Sequence, residues 1–146
     1  MSRRRWAPDV QVDGFADVRD ARAVRGAVTG VLLALRAHRI GVEVQAVSEA
    51  ESLRLNRTYR RRPRPGDVLS FPLPGNTPGG CAGDLYLCPA LAARGARRHG
   101  LAPRRWLAYL AVHGTLHLLG FDHRSAAESR RMDGLARALG RAGAAT

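Results

Sequence analysis

The order and periodicity of its elements predict that this 146-residue chain folds as one α+β domain, a small mixed four-stranded sheet covered by about five helices. Three observations carry that expectation. Short stretches that alternate apolar and polar residues read as half-buried strands, and longer stretches with apolar residues every three or four positions read as helices. Their order begins strand, helix, strand, helix, then runs through two strands and three helices. Neither a repeat nor a composition break divides the chain, and its length is about that of one domain, so residues 1–146 are taken as a single unit.

The first strand is DVQVDG, residues 9–14, ended by a turn at its glycine. Residues 18–38 carry Val24, Val28, Val31, Leu32 and Leu35 at helical spacing, with Arg22, Arg25, Arg36 and Arg39 on or beside a solvated outer face. IGVEVQAV, residues 40–47, alternates with β-branched residues and is a second strand. Ser48 followed by Glu51 is a capping-box pattern, which starts a helix expected to run to about Asn56.

Then comes NRTYRRRPRPGDVLSF, residues 56–71, in which Arg57, Arg60, Arg61, Arg62 and Arg64 precede a strand at residues 67–71. Pro63, Pro65 and Gly66 place a loop between helix and strand. A solvated basic loop and a substrate contact explain Arg61, Arg62 and Arg64 equally well. PLPGNTPGG, residues 72–80, is too rich in proline and glycine for regular structure, and GDLYLC, residues 83–88, is the fourth strand. A short helix follows at residues 89–99; His99 near its end receives no role. Pro103 sits in the first turn of the next helix, where its missing N–H is harmless. A last amphipathic helix begins at the SAAE capping box, residues 125–128, and carries Met132, Leu135 and Leu139.

All 24 basic residues are arginine, against 12 acidic ones, for a formal net charge of +12. Arginine presents planar, bidentate donors to phosphate, so the natural partner is a polyanion bound in a salt-dependent manner. No apolar run of 18 residues is present to span a bilayer, and the basic start lacks an apolar signal core. The expectation is a cytoplasmic protein without a membrane partner. Cys81 and Cys88 form no CxxC pair and read as reduced and structural.

Most chemistry is concentrated in HGTLHLLGFDH, residues 113–123. His113 and His117 lie one above the other on a helix, with Cβ atoms about 5 to 6 Å apart. Gly120 suits the left-handed turn that ends a helix and can return His123 to the same point. Three imidazoles fill three corners of a tetrahedron and leave the fourth for water, the arrangement of a catalytic zinc. The surrounding run, Trp106 to Leu119, is apolar on nearly every side, and buried imidazoles there need partners. One zinc ion per chain, held by His113, His117 and His123, follows from that spacing; nickel and iron also accept imidazole. A fourth ligand from Cys81 would close the site, against its otherwise open geometry.

The histidine spacing matches the metal-binding part of the metzincin proteases, but Gly114 stands where those enzymes carry a glutamate base. HGTLHLLGFDH more closely resembles the HGxLHLxGYDH signature of the YbeY-type single-strand-specific endoribonucleases, with Phe121 in place of tyrosine. NxxYR followed by DVLSF is similar to that family's second signature, and GD at residues 83–84 also fits. Where the family often has threonine before the aspartate of DVLSF, this chain has Gly66. The resemblance spans roughly residues 40–135 and implies a zinc-dependent endoribonuclease acting in late 16S ribosomal RNA maturation and ribosome quality control. It implies a catalytic role for Arg60, while RNA contacts from Arg57, Arg61 and Arg62 are expected from the charge of that stretch. It also implies single-stranded or ribosomal RNA as partner, with ribosomal proteins or an assembly GTPase as further ones. Asp122 is a candidate for the general base or for orienting a histidine, and a plain turn aspartate explains it as well. The rival readings are a zinc-stabilised RNA-binding assembly factor without catalysis and a metzincin-like protease.

Overall fold

A computed structural model describes residues 8–37, 41–73, 83–121, 130 and 134. Within them the chain forms β1 (Asp9–Asp13), α1 (Val18–Ala34), β2 (Gly41–Ala46), α2 (Glu49–Arg60), β3 (Val68–Pro72), β4 (Gly83–Leu87), α3 (Pro89–Arg98) and α4 (Pro103–Leu118). Four strands make one mixed sheet in the order β1-β2-β4-β3. β1 and β4 run parallel to β2, while β3 is antiparallel to β4 and forms an edge. The expected mixed sheet is therefore present, with four helices among the described residues. Of the fifth expected helix only Arg130 and Gly134 are described, both helical, and the Pro/Gly-rich stretch beyond Leu73 lies outside the described residues.

Alternation along the strands sorts the sheet into two faces. Val42, Val44, Leu85 and Leu87 point to one side, where they join Val24, Val28, Val31 and Leu32 of α1, Ala92 of α3 and the apolar face of α4 in a single core. Gln11, Asp13, Glu43, Gln45, Asp84 and Tyr86 point to the other side and line an open hollow of about 390 Å³.

Local chemistry explains the helix ends. The Asp17 carboxylate accepts the Arg19 N–H at 2.8 Å to cap α1. Ser48 caps α2 by accepting from the Glu51 N–H at 3.2 Å, as the capping box predicted. α2 does not stop at Asn56 but continues to Arg60 and ends where Arg61 adopts a left-handed φ of 54°. Asn56, whose short amide often marks a helix end, uses its side chain elsewhere, and the Arg62 N–H closes the end by donating to the Asn56 carbonyl at 3.1 Å. Arg104 ties the start of α4 to α1, donating to Asp20 at 2.9 Å and to Asp17 at 3.3 Å.

The feature that sets α4 against the sheet is Gly114. A Cβ there would lie 2.3 Å from Leu85 Cδ1 and 2.8 Å from Val68 Cγ2, so helix and strands meet at a distance only glycine permits. Position 114 faces the sheet. A glutamate side chain has no room at this point, which removes the general base that a metzincin-like protease requires.

Gly114→Ala should therefore destabilise the fold, with overpacking of about 1 to 3 kcal/mol outweighing a gain in helix propensity of about 1 kcal/mol. A lowered urea midpoint with unchanged slope is the expected reading, and equal or greater stability would show that the contact is slack.

Candidate metal centre and arginine cluster

α4 brings two of the three expected ligands together. The rings of His113 and His117 lie 4.9 Å apart between centroids at an interplanar angle of 66°, both partly buried. Two imidazoles on adjacent turns, on one face of a rigid helix, suit a shared divalent ion of borderline softness. Gly120 takes a φ of 95°, the left-handed turn expected after the helix. His123 and Asp122 lie outside the described residues, as does Cys81, and no group of three metal-ligating side chains occurs among the described residues.

The histidines continue a column of rings along α4. His99 stacks on Trp106 at 4.2 Å and 18°, Trp106 on Tyr109 at 4.9 Å and 17°, and Tyr109 stands 6.2 Å from His113. His99 thus has a packing role that its isolated place in the sequence did not reveal; its Nδ1 also lies 2.8 Å from the Gly95 carbonyl oxygen.

Arg60 reaches the sheet at its β3 edge. Phe71 and Tyr86 occupy the face opposite α4, and Tyr59 and Arg60 at the end of α2 meet them there. The Tyr59 and Phe71 rings are 5.7 Å apart and edge-on, and the Arg60 guanidinium carbon lies 5.3 Å from the Phe71 centroid. Arg60 Nη2 donates to the Ser70 carbonyl on the edge strand β3. Partial burial lowers the Arg60 pKa from its ordinary value, with a further push from the charge of Arg62.

Ser70 is the residue that joins the two halves. Its hydroxyl donates to the Gly114 carbonyl at 2.9 Å, one residue beyond His113, while its own carbonyl accepts from Arg60. Sequence reasoning passed over it, although a signal was present. Val68 and Ser70 share a strand face by period two, and a serine on the core side needs a partner.

The loop that follows α2 is anchored by two buried polar side chains. The Asn56 amide donates to the Arg64 carbonyl at 2.7 Å; the Ser52 hydroxyl donates to the Gly66 carbonyl at 2.6 Å and accepts from the Gly66 N–H at 2.9 Å. The backbone of the arginine loop is thereby held in place while Arg57, Arg61, Arg62 and Arg64 remain exposed. Among the described residues the ion pairs employ Arg19, Arg54, Arg94 and Arg104, and none of the five arginines between positions 57 and 64. Their charge remains available to an anion.

Known proteins resemble this chain over much of its length. The family model described as Endoribonuclease YbeY matches residues 16–142. The chain belongs to the YbeY family. A relative from Alkalilimnicola ehrlichii, named Endoribonuclease YbeY, is 45% identical over 100 residues, covering 66% of this chain and 60% of that protein. Another of the same name, from Halorhodospira halophila, is 45% identical over 95 residues, covering 62% of each. The chain thus aligns with about three fifths of the length of these YbeY proteins. The solution structure of TM1509 from Thermotoga maritima superimposes with a TM-score of 0.66 at 25% identity, covering 93% of this chain and 88% of that one.

Asn56→Ala should cost about 1 to 3 kcal/mol by leaving the Arg64 carbonyl without its buried donor. It should also speed amide exchange across residues 62–66 more than in the core strands. Uniform exchange across the protein would show that the asparagine does not anchor the loop.

Proposed function

We propose that the chain is a metal-dependent endoribonuclease that cuts single-stranded RNA in the maturation and quality control of 16S ribosomal RNA. The observation that carries the reading is the continuous link from Arg60 through Ser70 to Gly114, which sets a phosphate-binding guanidinium and a histidine pair in a fixed relation. The YbeY name of the relatives supports RNA as the polymer, and the unpaired arginines support a polyanion.

In this reading His113, His117 and His123 hold zinc. When bound, the ion supplies Lewis acidity to the phosphoryl group and a nucleophilic water at neutral pH. Arg60 grips a non-bridging phosphate oxygen and stabilises the charge that develops there. The Ser70 carbonyl and the Phe71 ring fix its guanidinium beforehand, so less rotamer entropy is lost on binding. Arg57, Arg61 and Arg62 attract neighbouring phosphates without reading sequence. Asp122 is assigned the proton-handling or histidine-orienting role. Asp13, Glu43 and Asp84 around the hollow on the sheet repel phosphate and confine the backbone to the arginine side. Among the described residues no helix is long and apolar enough to cross a membrane. Such an enzyme would work in the cytoplasm, with ribosomal proteins or an assembly GTPase as partners.

Arg60→Ala should leave zinc content and melting temperature near wild type while lowering kcat/KM on single-stranded RNA by about 10²- to 10³-fold. Undiminished turnover would remove Arg60 from the chemistry.

His117→Ala should abolish tight zinc binding and, with it, cleavage that a chelator suppresses in the wild type. Full zinc occupancy in that variant would overturn the ligand assignment.

A further inference from the structure

The residue beside Arg60 has no part in the scheme so far. Tyr59 is 65% exposed, the largest exposure of any aromatic side chain among the described residues with a large hydrophobic surface open to water. Its ring is not adrift, because it packs edge-on against Phe71 at 5.7 Å, and Phe71 in turn packs edge-on against Tyr86 at 5.6 Å. The same Phe71 ring carries the Arg60 guanidinium. A supported, solvent-facing aromatic and a phosphate-binding cation therefore share one platform at the end of α2. Around them stand Arg57, Arg61, Arg62 and Arg64, all exposed and outside the ion pairs of the described residues.

We infer that Tyr59 is a stacking platform for a nucleobase of the strand whose phosphate Arg60 holds. The inference rests on the nucleic-acid reading above and adds a base-binding subsite to it. Its chemistry selects single strands: a base inside a duplex is already stacked on both faces, whereas an unpaired base gains about 1 to 3 kcal/mol on an aromatic ring whatever its identity. A phosphate grip alone cannot make that distinction, since both kinds of strand carry phosphate. Tyr59 thus supplies strand selectivity without sequence selectivity.

The test is binding of a labelled deoxyhexanucleotide, and of the same backbone with abasic residues, to the full zinc-loaded chain by fluorescence anisotropy. Tyr59→Ala should weaken the base-carrying strand by about 5- to 150-fold, the span corresponding to that stacking free energy. Tyr59→Phe should stay within about twofold of wild type, and neither substitution should change binding of the abasic strand. Arg60→Ala should weaken both strands alike. Equal loss on the two strands in Tyr59→Ala would make the tyrosine a structural prop and overturn the inference, as would no loss on either. Wild-type protein that binds strands but cuts no RNA would sink the nuclease reading and leave the stacking subsite standing. Wild-type protein that binds neither strand would sink both.

Discussion

Everything at this site depends on how closely one helix can lie against one strand. At Gly114 the backbone of α4 comes near enough to β3 and β4 that any side chain would collide with Leu85 and Val68. The gap left by the missing Cβ is bridged by a hydrogen bond from the Ser70 hydroxyl. Because His113 precedes that contact and His117 follows it by one turn, the imidazole pair inherits its position from packing. The guanidinium inherits its own from the other end of the same serine. The imidazole pair on α4 and the guanidinium at the margin of the sheet are therefore referred to a single edge residue.

The sequence was most readable where function and local periodicity coincide. Four-residue spacing on a helix is a covalent consequence of the α-helical turn, so His113 and His117 could be paired before any fold was known. Strand β2, the cap at Ser48 and the start of α4 at Pro103 were readable for the same local reason. Arg60 was not: nothing in a run of arginines singles one out, and only the family resemblance did so. The order β1-β2-β4-β3 was equally hidden, since pairing β4 with both β2 and β3 is decided by burial across the sheet and not by any stretch of residues. Asn56 misled because an asparagine that could end a helix instead reaches across to the following loop. Gly114 was read as a missing base, and its positive role in packing required the neighbours that surround it.

The many arginines divide into two populations. Arg94 pairs with Glu49 between α3 and α2, and Arg104 with Asp17 and Asp20 between α4 and α1, so these act as struts between helices. Ser52 and Asn56 hold the backbone of the loop at Arg64 and Gly66, while the side chains of Arg57, Arg61, Arg62 and Arg64 are left to solvent. A charge excess of this size is self-repelling, and the anchored main chain keeps this stretch in place against it. Asp84, the cross-strand partner of Phe71, with Glu43 and Asp13 on the strands beyond it, makes the potential uneven over a short distance.

β3 is the outermost strand on its side, and such margins offer unpaired main-chain groups to any other extended segment. Here the carbonyl of Ser70 is occupied by a bulky, charged guanidinium, and Pro72 withholds an N–H at the end of the strand. Arg60, the phosphate grip of the proposed function, thus also shields one main-chain acceptor of that margin, and its removal would leave that acceptor open to another extended segment.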